Sequence, residues 1–111
     1  MEVKEKDWKL FRAKLPGWQE NYMDKLNKEY IEILSDSSKL ASEKFWELDK
    51  RIRKDKKDTG VACEMSRSVL VDNLLSLLHE QAITLDDLND FSEELKQEIS
   101  LYINRSNKIY N

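Results

Sequence analysis

The sequence predicts an all-α fold: a compact bundle of four principal helices with a short N-terminal helix ahead of them, in a single domain over residues 1–111 whose ordered core runs from about 8 to 103. Three observations predict it. Charged residues make up 37% of the chain while Gly occurs twice and Pro once, a composition of long helices with solvated faces rather than strands and turns. The 40% hydrophobic content, with three Trp, four Tyr and three Phe, is enough for one core without disulfide or metal staples. Along most of the chain the apolar residues recur at helical spacing.

Taken in order, residues 8–15 form a short helix with Trp8, Phe11 and Leu15 on one side. Pro16 ends it, because a proline disfavours helical geometry in the residue before it. Residues 18–34 form the next helix: Trp18, Tyr22, Met23, Leu26, Tyr30, Ile33 and Leu34 fall within about 160° of arc at 100° per residue. The polar break at residues 35–38 supplies N-cap side chains. A third helix over residues 39–56 buries Leu40, Ala41, Phe45, Leu48 and Ile52, with Gly60 as a left-handed residue beyond its end. The fourth, residues 65–79, is the centre of the bundle. Leu70, Leu74, Leu77, Leu78, Val71 and Leu75 sweep nearly half of its surface, and Met65 and Val69 flank them, so protein covers most of its circumference. After a connection, Thr84 and Asp87 resemble a capped start, although Glu or Gln is preferred over Asp in a capping box. Leu85, Leu88, Phe91, Leu95, Ile99, Tyr102 and Ile103 then line one face of the last helix, and the tail from Asn104 frays.

Several phrases carry a resemblance: Leu15-Pro-Gly-Trp-Gln-Glu-Asn-Tyr-Met23, Lys28-Glu-Tyr30, Lys44-Phe-Trp-Glu-Leu48, Met65-Ser-Arg-Ser68 and Ile83-Thr-Leu-Asp-Asp-Leu-Asn-Asp-Phe-Ser-Glu-Glu-Leu95. Over most of residues 8–100 the chain resembles a family of small, uncharacterised helical proteins of Gram-positive bacteria and mobile elements. Some members are labelled multidrug transporters. That label conflicts with this sequence, where the longest apolar run, residues 69–78, is broken by Asp72, Asn73 and Ser76 and falls far short of the roughly 18 residues a membrane span needs. The resemblance implies a bacterial helical protein and brings no catalytic residues.

Cys63 stands alone, which excludes a disulfide framework and a cysteine metal site. The opening residues lack the apolar segment of a secretory signal, so the expected location is the cytoplasm and no membrane partner is expected. The net charge of −3 divides unevenly, +2 over residues 1–58 and −5 over residues 59–111.

The most suggestive surface is on the third helix. Trp46, Lys50, Arg53 and Lys57, at i, i+4, i+7 and i+11, share one face, with Lys54 beside them. An aromatic ring beside a cationic row suits a protein partner; it also suits nucleic acid, whose phosphates meet the cations and whose bases stack on the ring. The plainest reading is a solvated face with the pairs Glu47–Arg51 and Asp49–Arg53, and Trp46 widening the buried side. Arg67, between Ser66 and Ser68 at a helix start, can hold an anion or, if buried, pair with a carboxylate of the last helix.

Asp72, Ser76 and His79 share a helix side but bring no oxyanion donors, which a Ser-His-Asp site needs, so they read as a solvated strip. Asp86, Asp87 and Asp90 suit the positive end of a helix without any metal. This acidic face can oppose the basic row of a second copy, giving a homodimer. The expectation is therefore a non-enzymatic protein-interaction module, an accessory or regulatory protein with an unidentified protein partner and no cofactor. Binding residues are Trp46, Lys50, Arg53, Lys57 and Arg67; the alternative is a nucleic-acid-binding protein using the same basic face.

Overall fold

A computed structural model describes residues 2–110, with side chains through Ser106. The fold is all-α. Four α-helices, α1 (Glu5–Leu34), α2 (Ala41–Asp55), α3 (Leu70–His79) and α4 (Glu93–Tyr110), are joined by loops that include 3-10 turns at Arg67–Val69 and Leu85–Leu88.

The expected break at Pro16 is absent: the short N-terminal helix and the one after it are a single 30-residue helix with Pro16 inside it. An interior proline removes one backbone hydrogen bond and crowds the carbonyl four residues back, at about 3 kcal/mol. Here that carbonyl belongs to Arg12, an exposed residue, and Pro16 and Gly17 are exposed too, so the break in the ladder falls on the solvent side of the helix. On the opposite side, Phe11 and Leu15 before the proline and Trp18 after it enter the same core. Burying side chains of this size is worth about 1.5–3 kcal/mol each, which together exceeds the local penalty.

The main core holds Val3, Phe11 and Leu15 from the start of the chain, Leu70, Leu74 and Leu77 from α3, and Ile83, Leu88, Phe91, Leu95 and Ile99 from the loop and α4. No residue of α2 belongs to it. The distal half of α1 therefore leaves the core and pairs with α2 as a helical arm. A radius of gyration of 16.9 Å and extents of 52 × 35 × 22 Å describe an elongated molecule; a compact chain of this length has a radius near ~13 Å. The bundle is less compact than the sequence suggests because α2 packs chiefly on the distal half of α1 and adds nothing to the main core.

The central helix is shorter than expected. Met65 lies in the connection and is 49% exposed, whereas Leu70, Leu74 and Leu77 are fully buried. Residues 61–66 instead carry the chain from arm to core, where the Asn73 side-chain amide donates to the Glu64 carbonyl at 2.9 Å. Gln81 ends α3 at φ 62°, with Ala82 N–H donating to the Leu77 carbonyl (2.9 Å) and Gln81 N–H to that of Leu78 (3.1 Å). These are the two bonds of a Schellman motif.

The last helix is likewise split. Thr84 and Asp87 do form a reciprocal capping box, but on the 3-10 turn, and Leu85 is 57% exposed rather than on the buried face. After a bend, α4 starts at Glu93 and continues past Asn104, where fraying was expected, to Tyr110.

That bend is fixed by Asp7. Its side chain is fully buried; Oδ1 accepts from the Ser92 backbone N–H at 2.9 Å and Oδ2 from the Ser92 hydroxyl at 2.6 Å. The Ser92 oxygen in turn accepts from Leu95 N–H at 3.3 Å, capping α4. One carboxyl thus sits in the first turn of α1 and against the N-terminus of α4, the helix end at which negative charge is favoured in both cases.

Two stability outcomes follow from this geometry. Pro16→Ala restores a helix bond and should raise unfolding stability by about 1–3 kcal/mol in urea titration; Gly17→Ala, whose Cβ meets open space, should add about 1 kcal/mol more. A loss in either variant would show that the proline is structurally required. Asp7→Ala removes the buried acceptor of two donors on the half-buried Ser92 and should cost about 2–4 kcal/mol in the same measurement. A cost matching an exposed control such as Glu20→Ala would refute that role.

Candidate interaction surface

The arm is held by polar contacts more than by apolar burial. The Tyr30 hydroxyl donates to Asp55 at 2.5 Å, and Asp55 is 5% exposed. Arg51 pairs with Asp55 (3.5 Å) and Glu29 (3.3 Å) and lies over the Tyr30 ring, 5.7 Å from its centre. Nearer the core, the Tyr22 hydroxyl donates to Asp58 at 2.6 Å. Glu80, just past α3, accepts from Thr59 N–H (2.8 Å) and Gly60 N–H (2.9 Å), while Gln19 donates to the Thr59 carbonyl (3.2 Å). Gly60 does not adopt the expected left-handed conformation. It is small because the Tyr22 ring lies directly against it, where any Cβ would collide.

The two broad sides of the arm differ in chemistry. One carries the ion pairs Glu29–Arg51 and Lys39–Glu47 (3.0 Å). On the other, Met23, Tyr30 and Ile52 line a shallow groove. In helical projection Leu34 falls about 20° from Met23, and Phe45 about 20° from Ile52, so the groove's apolar lining continues toward the tip. Those distal residues have no cover: Leu34 is 49% exposed and Phe45 62%; on the outward edges, Ile31 (61%), about 80° from Met23, and Trp46 (63%), about 120° from Ile52, are bare as well. The rings of Phe45 and Trp46 meet edge to face with centres 5.0 Å apart.

This reverses the expected burial of the third helix. Leu40, Ala41 and Phe45 are exposed, and only Leu48 and Ile52 turn partly toward α1. Periodicity revealed an apolar stripe, but only half of it has protein against it. Trp46 does not widen the buried side; it projects outward.

The other residues singled out in the sequence are placed as follows. Lys50 and Arg53 lie on the outer side of α2, and Lys57 lies in the turn that follows it. Arg53 pairs with Asp49 at 2.8 Å. The expected Glu47–Arg51 pair does not form: Glu47 goes to Lys39, and Arg51 to Glu29 and Asp55. Among the described residues, Lys50, Lys54, Lys56 and Lys57 have no carboxylate within ion-pair distance.

Arg67 is on the core, away from this row. It donates to the Val3 carbonyl (2.6 and 3.2 Å) and pairs with Glu5 at 2.6 Å, clamping the start of α1 rather than reaching the last helix. Asp72 and His79 are exposed and Ser76 half-buried; among the described residues no hydrogen bond joins the three. Asp87 serves the capping box, and Asp90 pairs with Lys14 at 3.4 Å. Burial pushes the Cys63 thiol up, away from the reactive thiolate. Among the described residues no cluster of His, Cys, Asp and Glu has the makings of a metal site, and no helix is long and apolar enough to cross a membrane.

Sequence reasoning missed Asp7, Glu80 and Ile31, and it placed Leu34 on the apolar face without revealing its exposure. The tyrosines of α1 were visible as apolar positions, but their hydroxyl partners lie 25 and 36 residues away, beyond any local pattern.

The tyrosines give the arm a pH signature. Tyr30 is pushed up to about 12 from the ordinary 10.0, by burial first and by its hydrogen bond to Asp55 second. Tyr22 is pushed up as well, by burial and then by Asp58. A raised folded-state value means the protonated hydroxyl is favoured in the fold. For Tyr30 this stabilisation is complete below pH 10 and disappears as the pH rises through about 12. Helix content followed by circular dichroism should fall more steeply between pH 10 and 12 than in a Tyr22→Phe/Tyr30→Phe variant. Parallel curves would refute the assignment.

Comparison with protein-family models, with curated proteins and with solved structures found no match.

Proposed function

We propose that this chain is a non-enzymatic protein-interaction module, an accessory or regulatory protein that engages its partner through the apolar side of the α1–α2 arm. One observation supports this above all: Ile31, Leu34, Phe45 and Trp46 remain 49–63% exposed on a helix pair that projects from the core. Monomeric proteins rarely expose contiguous apolar patches beyond a few hundred Å², and larger ones mark binding sites. Trp46 and Phe45 are the natural anchors, because aromatic side chains dominate binding energy at many interfaces. Lys50, Arg53 and Lys57 then flank the anchor and steer acidic groups to it. Arg67 supports the core and falls outside this surface. A cytoplasmic protein of a bacterium or mobile element, as the family resemblance implies, fits this role.

The exposed lysines after Trp46 favour a second reading, nucleic-acid binding, in which Trp46 stacks on a base and the cations release counterions from phosphates. The net charge of −3 weighs against it.

The test is affinity capture by the tagged chain from a bacterial lysate that also contains untagged chain, with and without nuclease. The module reading expects a protein, another or a second copy, that survives nuclease and falls at least tenfold with Trp46→Ala. Recovery that disappears with nuclease, or that ignores Trp46→Ala, would overturn it.

A further inference from the structure

We infer that the partner covering the apolar side of the arm is a second copy of this chain, the two arms closing into an antiparallel four-helix bundle. The inference rests on the reading of the arm as an interaction surface and names its occupant. Two antiparallel helices with one bare apolar side are half of such a bundle. What selects a second copy is the charge at the two rims of that side.

Along α1, moving outward from Leu34 in helical projection, the rim carries Glu20 about 40° away and Asp24 about 80° away. Along α2, moving outward from Ile52, it carries Lys56 about 40° away and Arg53 about 100° away. The α1 rim is acidic and the α2 rim is basic on balance, since Asp49, about 60° from Ile52, lies between Lys56 and Arg53 and pairs with Arg53; the opposed charges sit at matching heights. Glu20 is 14 residues from the tip end of α1 and Lys56 is 15 from the tip end of α2; Asp24 and Arg53 are 10 and 12 residues away. A two-fold axis parallel to the arm lays each α1 beside the α2 of the other copy. Arg53 then faces Asp24 of the second copy, and Lys56 faces Glu20. Nearer the tip, Trp46 reaches Ile31 of the second copy, which lies at a similar height.

The perpendicular two-fold axis sets α1 against α1 and meets no such complement, so the rims choose between them. Intrachain pairs already made at these positions, Asp24 with Lys28 (3.1 Å) and Arg53 with Asp49 (2.8 Å), are exposed and exchange at little cost.

The size is adequate. Phe45 and Trp46 each expose on the order of 100 Å². With Ile31 and Leu34, two copies together remove roughly 800 Å² of apolar surface, and the groove and rims bring the total to about 1,000 Å², the lower bound for a biological interface.

The closing experiment is sedimentation equilibrium of the full chain at micromolar concentrations, comparing wild type with two rim variants. Wild type should sediment at twice the 13.2 kDa chain mass. Phe45→Ala and Trp46→Ala should each weaken association at least tenfold. Arg53→Glu/Lys56→Glu makes both rims acidic, and Glu20→Lys/Asp24→Lys makes both basic; all four positions are exposed, so circular dichroism should report an unchanged fold. Each rim variant alone should be monomeric, and an equimolar mixture of the two should dimerise. A monomeric wild type at about 100 μM would overturn the inference. So would a dimer indifferent to both rim variants, because it would use another surface. A monomer that still captures a different protein through Trp46 would sink the second copy and leave the interaction module standing; loss of all Trp46-dependent capture would sink both.

Discussion

The structure depends on one buried carboxyl. Asp7 holds the backbone N–H and hydroxyl of Ser92, and Ser92 caps the helix that supplies Leu95 and Ile99 to the core. Without that acceptor the two donors of the half-buried Ser92 would together cost about 2–4 kcal/mol. The same contact sets the direction of α1. Once its first turn is pinned against α4, and Arg67 ties Val3 and Glu5 to the start of α3, the N-terminal half of α1 lies along the core. Its far half must then leave the core, because the helix is about 45 Å long at 1.5 Å per residue.

The arm is the consequence, and its chemistry differs from that of the core. The core is close-packed leucine, isoleucine and phenylalanine. The arm relies on Tyr30, Asp55, Arg51 and Glu29, with Glu80 gripping the loop at its base through two backbone N–H groups. Hydrogen bonds fix geometry but add only about 1 kcal/mol each on balance. The Arg51 Nε is buried without a partner, so even this network is incomplete.

Fold class was legible because composition and helical periodicity are local properties. The apolar faces around Leu70, Leu74 and Leu77 and around Leu88, Phe91, Leu95 and Ile99 are buried as their spacing implied. What failed were inferences from one local rule that distant burial overrode. Pro16 should stop a helix, yet Phe11, Leu15 and Trp18 share one core and carry the helix through. Gly60 resembled a helix terminator but is an accommodation to Tyr22, 38 positions earlier. The candidate surface was half legible. The spacing of Trp46, Lys50 and Arg53 put them on one side of a helix, but whether that side is covered is a tertiary fact. Leu34 falls on the same apolar face as the buried Tyr22 and Leu26 and was indistinguishable from core, whereas Ile31 lies on the opposite side of α1 from Tyr22 and stood outside that face.

The exposure of Phe45 and Trp46 bears on how the arm persists. A helix of 15 residues is marginal alone in water, and most helical stability in proteins comes from packing of an apolar face. Here the apolar side chains that α2 turns toward α1 are the half-buried Leu48 and Ile52, beside the polar Arg51 and Asp55, while its largest apolar side chains face solvent. Covering that face would therefore supply the burial that α2 lacks within its own chain. Binding and ordering of α2 would then share one source of free energy, so whatever covers Phe45 and Trp46 also tightens the Tyr30–Asp55–Arg51 network behind them. Tyr30 lines the groove and also donates to Asp55, so the bare surface and the polar network meet at one side chain.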